Sequence, residues 1–326
     1  MRLSLWIKWF FFWTLMTKTL AQSFTEHNVK NYEDNYEYDY ILDRKDKEIK
    51  PNNCKSYEDQ FSDEIDKTNL YYDIVNKEFE QKILPLKDKF SNYNFSITGA
   101  IGSGKSTILE IINKLFIRHG FKVNAVPEYL GIDKELGGVL LNRRINNTIS
   151  NTTFQNYIMD QYVERISNNG SHSYDICLFE RLPDDSILCF SNISNYDEYD
   201  LTNFDLLVLD KRMKAIIERY NIPSYRDEHT KFKKITSGDL SLLFTVVFDI
   251  IVDDVNNKVK NRIIGLDVAF EITKQRIIQR NRPGESGYTD EYLKRIVNFY
   301  SRLYKIMEKN RNKLNKFTCI GELVEF

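Results

Sequence analysis

The chain has 326 residues, 42% of them hydrophobic, and a formal net charge of −1. This length suffices for one large α/β domain with additional segments, and the near-neutral charge argues against a general nucleic-acid-binding protein. The four cysteines form no C-x-x-C pair, so the sequence indicates neither a disulfide framework nor a zinc site.

Residues 1–67 differ in composition from the rest of the chain. Residues 1–22 hold an apolar stretch, interrupted by Lys8, which is similar to a secretory signal or a short membrane anchor. Residues 23–67 predict an acidic, poorly ordered linker, because residues 26–66 carry 13 acidic against 6 basic side chains. The predicted domain therefore covers residues 68–326, and the stretch "YYDIVNKEFEQKILPLKDKF" predicts a helix that leads into it.

The stretch "GAIGSGKST" fits the pattern G-x-x-x-x-G-K-[ST] and predicts a phosphate-binding loop. Alternating residues before it predict a strand, and the apolar spacing after it predicts a helix that stops near Gly120. Backbone N–H groups of such a loop and the helix N-terminus both favour an anion. Lys105 would reach the β- and γ-phosphates, and Ser106 would help hold Mg²⁺. The predicted ATP-binding residues are Gly99, Ala100, Ile101, Gly102, Ser103, Gly104, Lys105, Ser106 and Thr107.

Two further predicted strands end in charged residues. The run "KVNAVPE" ends at Glu128, and the buried-type run "YDICLFER" ends at Glu180 and Arg181. Ligands of parallel α/β sheets bind beyond the carboxyl ends of the strands, so we expect these side chains to face the phosphate loop. An ordinary surface ion pair is the alternative for Glu180 and Arg181.

Residues 194–236 look like an insertion, within which "FDLLVLDKRMKAIIERY" has a strand-then-helix pattern. In "RIIQRNRPGE", Arg276 and Arg280 lie one helical turn apart, Arg282 follows, and Pro283-Gly284 ends the helix. Three arginines at a turn predict a lid that neutralises a transferring phosphate, although a solvated basic face is the simpler alternative.

These segments, in this order, resemble the deoxynucleoside kinase family, and most closely its herpesvirus-type thymidine kinase branch. The resemblance runs from about residue 94 to 305. Besides the phosphate loop and the arginine segment it includes "VPEYL", "FQNYIMDQY" and "FERLPDDSILCF", while "GDLSLLFTVVFDIIVDD" and "NRIIGLDVAF" follow the family order. It implies an α/β P-loop kinase fold, with a parallel sheet, helices on both faces and an arginine lid. The implied activity is ATP-dependent phosphorylation of the 5′-hydroxyl of a deoxynucleoside, thymidine first.

The resemblance also implies a role for each matching residue. Glu128 would accept the 5′-hydroxyl proton, Arg181 would hold the 5′-oxygen and the phosphates, and Glu180 would assist Mg²⁺. Gln155 would read the base edge, Ile158 and Phe190 would sandwich the base, and Glu285 would bind the sugar 3′-hydroxyl. Relatives that prefer deoxycytidine carry an Asp at the position of Ser186, unless the neighbouring Asp184 or Asp185 takes that place. The implied catalytic set is Lys105, Glu128, Arg181, Arg276, Arg280 and Arg282.

The chain departs from the family pattern at two places. Leu182 follows Glu180-Arg181, where relatives have Ser or His, and no tyrosine precedes "FQ" at the position that helps to hold the 3′-hydroxyl. A broader deoxynucleoside kinase for deoxycytidine or purines remains an alternative. A non-catalytic, tethered nucleotide-binding protein is a second one.

The expected ligands are ATP, Mg²⁺ and a deoxynucleoside, with no nucleic acid. Because relatives are dimers, a homodimer is the default expectation. ATP use favours the cytoplasm, that of the host cell if the chain is viral. Secretion or membrane tethering through residues 1–22 is the alternative, and membrane contact is expected only if that segment is retained.

Overall fold

The computed structural model describes residues 72–128, 134–146, 148–168, 173–191, 193, 201–236, 240–280 and 285–309. The hydrophobic segment predicted at residues 1–22 and the linker predicted at residues 23–67 lie outside this part of the chain. Among the helices that are described, none is both long enough and apolar enough to cross a membrane.

The described strands are all parallel and form a single sheet. They are β1 (Tyr93–Gly99), β2 (Val123–Val126), β3 (Ile176–Glu180), β4 (Lys231–Ile235) and β5 (Asn261–Leu266). Their order across the sheet is β2-β3-β1-β5-β4. The central strand β1 is buried along its whole length, and the polar residues that alternate with apolar ones in its sequence, Asn94, Ser96 and Thr98, are buried as well.

Helices connect the strands and cover the sheet. They are α1 (residues 72–82), α2 (Lys105–Arg118), α3 (Lys134–Ile145), α4 (Asn151–Asn168), α5 (Asn203–Tyr220), α6 (Leu240–Asn256), α7 (Phe270–Arg280) and α8 (Asp290–Lys309). Short 3₁₀ turns occupy Leu84–Lys89 and Glu285–Gly287. After β3, one helical turn, Pro183–Asp185, runs directly into a wider π-helical turn, Ser186–Ser191.

Successive side chains of β3 separate the two halves of the core. Ile176 and Leu178 pack in the cluster that contains residues of α1, α2 and α6. Cys177 and Phe179 pack in the cluster that contains residues of α4, α5 and α8. Because alternate residues of a strand point to opposite faces, helices lie on both faces of the sheet, as the sequence predicted. Cys177 and Cys189 are both buried with free thiols.

The described part of the predicted insertion, residues 201–236, contributes both a helix and a strand to this domain. The predicted strand-then-helix pattern is wrong, because "FDLLVLDKRMKAIIERY" is helical throughout as part of α5. Thr202 caps the helix by accepting from the Asp205 backbone N–H, and the Asp205 carboxylate accepts from the Thr202 backbone N–H in return. The strand of this segment is β4, the lysine-rich edge of the sheet.

The sheet order places the functional strand ends side by side. Strand β3 pairs with β1 on one side and with β2 on the other. The carboxyl ends of these strands lead to the phosphate loop, to Glu180 and Arg181, and to Pro127 and Glu128. The fold therefore brings together three segments that are far apart in sequence, at the edge where parallel α/β sheets bind ligands.

Candidate active site

The predicted phosphate loop links β1 to α2 and curls tightly. Gly99, Gly102 and Gly104 all have positive φ angles, of 149°, 77° and 96°. A Cβ atom at Gly102 would lie 2.6 Å from the backbone oxygen of Thr273, and one at Gly99 would lie 2.8 Å from that of Leu266. Glycine is therefore required at the first two positions by space as well as by backbone conformation.

Lys105 is buried at the start of α2, with 4% of its surface exposed. Its Nζ atom donates a hydrogen bond to the backbone oxygen of Ala100 at 2.8 Å, so the ammonium group is turned onto its own loop. Burial and the positive charge of Arg181 lower the pKa of Lys105 from 10.5 to about 7. A bound polyphosphate would supply the anionic partner that the loop itself lacks.

Ser106 and Glu180 form the part of the site best suited to a divalent cation. The Ser106 hydroxyl donates to Glu180 Oε1 at 2.5 Å, across the gap between the loop and the end of β3. The backbone N–H of Glu128 approaches the other carboxylate oxygen of Glu180 at 3.4 Å. In the described residues, no group of three or more His, Cys, Asp or Glu side chains could hold a metal ion unaided.

Arg181 and Glu128 are paired beside the loop. Arg181 Nε donates to Glu128 Oε1 at 2.7 Å, and Arg181 Nη1 donates to the backbone oxygen of Gly99 at 2.9 Å. Tyr300 of α8 accepts a further bond from Nη1 at 2.8 Å, and the guanidinium lies 5.0 Å from the ring centre of Phe190. Negative partners outweigh desolvation and hold the pKa of Arg181 above its usual range, so this residue remains charged although it is buried.

The turn at Arg181 is stabilised by a carboxylate from further along the chain, so Leu182 is tolerated directly after Arg181. Arg181 has a φ angle of 63°, which is uncommon for a residue other than glycine and is found disproportionately at functional sites. The Asp185 carboxylate stabilises this turn by accepting the Leu182 backbone N–H at 2.8 Å and the Thr98 hydroxyl at 3.0 Å. Tyr225, from the segment predicted as an insertion, donates to the same carboxylate at 2.9 Å. A carboxylate three residues further on therefore supports the turn, while Leu182 is fully buried.

The phosphate loop opens into a cavity of about 540 Å³ that contains the predicted base-binding residues. Gln155 and Ile158 of α4 line it from one side, and Ser186 and Phe190 line it from the segment after β3. Gln155 is 2% exposed, and its amide nitrogen donates to Asn151. The structure therefore gathers all four residues into one pocket that is continuous with the phosphate loop.

Asp184 and Asp185 are turned away from this pocket, whereas Ser186 faces it. Asp184 accepts the backbone N–H of Tyr225, and Asp185 binds Thr98 and Tyr225. Burial raises the pKa of Asp184 to about 6. Neither acid therefore lies where it could pair with a base in the cavity, so the predicted correspondence at Ser186 is compatible with the geometry.

Two of the three predicted lid arginines lie in α7 and line the same cavity. Arg276 donates to the backbone oxygen of Ser103 at 3.2 Å, and Arg280 binds both carboxylate oxygens of Glu285, at 2.6 and 3.1 Å. Glu285 is 4% exposed and also lines the cavity. Its predicted contact with a sugar would therefore be made while its carboxylate is paired with Arg280. Arg282 and the Pro283-Gly284 turn lie outside the described residues.

Several cavity residues were not identified from the sequence. Tyr162 lines the pocket and follows Gln155 and Ile158 at helical spacing, seven and four residues on, so the helix periodicity could have revealed it. Arg144, Tyr288 and Tyr292 also line the cavity, and the two tyrosine rings stack at 5.4 Å. No local motif marks these residues, because tertiary packing of α3 and of the start of α8 brings them to the cavity.

Arg165 is a further charged residue that the sequence did not single out. It is 4% exposed, lies on α4 one turn beyond Tyr162, and donates to the backbone oxygen of Pro127. Its Nε and Nη2 atoms are buried without a hydrogen-bond partner in the described structure. Desolvation lowers the pKa of Arg165, while the charges of Glu128 and Glu180 act in the opposite direction.

Comparison with known proteins identifies similar solved structures but no family. Neither protein families nor curated protein sequences give a match. A deoxyadenosine kinase from M. mycoides with bound dATP matches at 15% identity and a TM-score of 0.40, covering 66% of this chain and 86% of that chain. The same enzyme with bound dCTP matches at 16% identity and a TM-score of 0.41, covering 67% and 86%. Similarity at this level does not assign a function to this chain.

Proposed function

We propose that this chain transfers the γ-phosphate of ATP to the 5′-hydroxyl of a deoxynucleoside, with thymidine as the preferred substrate. The observation that carries the proposal is the Arg181–Glu128 pair, which lies in the same 540 Å³ cavity as the phosphate loop and Gln155. A cavity of this size is within the range that proteins use for small ligands. The phosphate loop, the Glu128 carboxylate and Gln155 all line this one cavity, so ATP and a nucleoside could meet within it.

The chemical step requires a proton acceptor and compensation of negative charge. The 5′-oxygen forms a bond to the γ-phosphorus, the bond between that phosphorus and the ADP oxygen breaks, and the hydroxyl proton passes to the Glu128 carboxylate. Arg181 stays charged and is held against Glu128, so it can stabilise both the 5′-oxygen and the phosphoryl oxygens. Arg276 and Arg280 reach the same cavity from α7 and would add further positive charge.

Mg²⁺ fits the oxygen pair formed by Ser106 and Glu180. Mg²⁺ sites on nucleotides commonly use one or two protein oxygens together with substrate phosphates, so the absence of a complete protein ligand set among the described residues is no obstacle. When bound, the ion would neutralise charge on the phosphate oxygens. Ser106 and Glu180 would then give up their mutual hydrogen bond of 2.5 Å to share the cation.

The preference for thymidine is supported by Ser186, an uncharged residue at the wall of the base pocket. Ser186 is small and faces the cavity, so it leaves room for the 5-methyl group, and both neighbouring acids are bound elsewhere. Gln155 offers a donor and an acceptor side by side, which can pair with the O4 and N3–H groups of thymine. Ile158 and Phe190 supply apolar surfaces for the two ring faces.

The test is a comparison of kcat/KM for thymidine, deoxycytidine, deoxyadenosine and deoxyguanosine with the full chain, ATP and Mg²⁺. We expect thymidine first, deoxycytidine weaker and the purines poor. Gln155→Leu should cost about 1–3 kcal/mol in kcat/KM, because it leaves polar groups of a buried base unpaired. Gln161→Leu, on an exposed site of the same helix, is the matched control and should change little. A purine that ranks above thymidine would overturn the base assignment but leave the phosphate chemistry intact.

A further inference from the structure

Asn151 and Gln155 form a buried amide pair at the wall of the cavity. They lie one turn apart at the start of α4, they are 1% and 2% exposed, and both line the pocket. Gln155 Nε2 donates to Asn151 Oδ1 at 3.1 Å. With Asn151 Oδ1 as the acceptor, this contact directs the nitrogen of the Gln155 amide towards Asn151 and leaves the amide oxygen on the other side.

The oxygen of the same amide has no hydrogen-bond partner among the described residues. Gln155 Oε1 is buried from solvent, so water does not readily replace the missing donor. A buried acceptor without a donor is unfavourable, and a ligand N–H group would relieve this cost. Gln155 lines the cavity, and its amide offers this acceptor together with the second N–H of its nitrogen.

The orientation of this amide matters because thymine and cytosine have opposite hydrogen-bonding patterns. Thymine has N3–H as a donor beside the acceptor O4, whereas cytosine has N3 as an acceptor beside the donor N4–H₂. An amide that can flip satisfies both patterns at one base position. An amide held in one orientation satisfies only one of them there, and the other base must shift or lose a hydrogen bond.

We propose that Asn151 is a specificity-determining residue, which holds Gln155 in one orientation and so makes the pocket discriminate between the two pyrimidines. This inference rests on the proposed function, since it concerns the base of the accepted nucleoside. Asn151 acts through Gln155 and is a positioning residue. Its acceptor oxygen is the group that matters, because it is the atom that captures the Gln155 nitrogen.

Three substitutions separate this role from simple packing. Asn151→Leu keeps the approximate size but removes the acceptor, Asn151→Ala removes it without adding bulk, and Asn151→Asp keeps an acceptor at the same place. The control is Asn156→Leu, because Asn156 lies on the same helix but its side chain accepts from Arg212 and does not line the cavity. The readout is the ratio of kcat/KM for thymidine to that for deoxycytidine, measured on the full chain, with thermal unfolding as the check of folding.

We expect the ratio to fall by about tenfold in Asn151→Leu and Asn151→Ala, as for the loss of about one selective hydrogen bond. In Asn151→Asp and Asn156→Leu it should stay within about threefold of the wild-type ratio. A folded, active Asn151→Ala variant with an unchanged ratio would refute the role of Asn151 and leave the proposed function standing. An equal loss of discrimination in Asn151→Asp would also refute it. A wild-type chain that phosphorylates neither pyrimidine nucleoside would overturn both proposals.

Discussion

Binding of ATP should be accompanied by proton uptake at Lys105. In the ligand-free protein the pKa of Lys105 is about 7, because the side chain is buried and lies near Arg181. At pH 8 such a group is protonated in about one molecule in eleven. Phosphate oxygens that replace the Ala100 carbonyl as its partner would return the pKa towards 10.5, so binding should take up about 0.9 proton per site.

The assay is isothermal titration calorimetry at pH 8 in buffers of different ionisation enthalpy. The terminal phosphate of free ATP is already ionised at this pH, because its relevant pKa is about 6–7. The slope of the observed enthalpy against the buffer ionisation enthalpy gives the number of protons directly. Lys105→Met is the control and should bind ATP more weakly and without uptake. An uptake below about 0.2 proton in the wild type would show that Lys105 is not largely neutral before ATP binds, or that it does not become protonated on contact with the phosphates.

The same pKa shift predicts how the stability of the ligand-free protein depends on pH. The pKa is lowered on folding, so between pH 7 and 10.5 the unfolded chain binds more protons at Lys105 than the folded chain does. Stability should therefore rise with pH through this window. The full penalty, on the order of 5 kcal/mol at about 1.4 kcal/mol per pKa unit, is present below pH 7. Urea unfolding at pH 7 should show that Lys105→Met is more stable than the wild type without nucleotide, and equal or lower stability would contradict the calculation.

Three further predictions address the catalytic groups, the loop and the N-terminal segment. Lys105→Ala should lower kcat by about 10²–10³ because it removes a positive charge that stabilises the transition state. Glu128→Gln should lower kcat less, since a loose phosphoryl transition state needs little early proton removal. Near-normal turnover of Lys105→Ala in steady-state kinetics would contradict the kinase assignment. Gly102→Ala should destabilise the protein by about 1–3 kcal/mol in urea unfolding, because the residue has a φ angle of 77° and the added Cβ would lie 2.6 Å from the Thr273 backbone oxygen. An unchanged urea midpoint would show that the loop relaxes freely. Deletion of residues 1–67 should leave kcat/KM within about threefold of the full-chain value, since every predicted site residue lies beyond residue 98. A hundredfold loss of kcat/KM with the fold intact would show that the deleted segment shapes the site.

The sequence predicted the strand and helix on either side of the phosphate loop well because their signals are local. The spacing of Gly99, Gly104 and Lys105 needs only a strand before it and a helix after it, and both are present. The acids at the ends of β2 and β3 were predicted from the general rule for parallel sheets, and the sheet order brings them together. These features need no knowledge of which distant segments pack against each other.

The remaining features depend on tertiary contacts that periodicity does not encode. Asp185 supports the turn after β3 together with Tyr225 and Thr98, which come from segments that are 40 and 87 residues away in sequence. The pattern at residues 204–220 was misinterpreted because apolar runs in a helix and in a buried strand look alike, and the Thr202–Asp205 cap decides between them. Tyr288 and Tyr292 were not identified from the sequence, because the three-dimensional packing brings them to the cavity.

The most direct test of the proposed function is transfer of label from [γ-³²P]ATP to a nucleoside by the full chain in the presence of Mg²⁺. Thymidine and 3′-deoxythymidine, which both carry a 5′-hydroxyl, should yield labelled 5′-monophosphates, whereas 5′-deoxythymidine should yield none. Lys105→Ala should lower the rate of product formation by about 10²–10³ without unfolding the protein. Label that appears only as inorganic phosphate, or equal labelling of 5′-deoxythymidine, would contradict transfer to the 5′-hydroxyl through the cavity that joins the phosphate loop to Gln155.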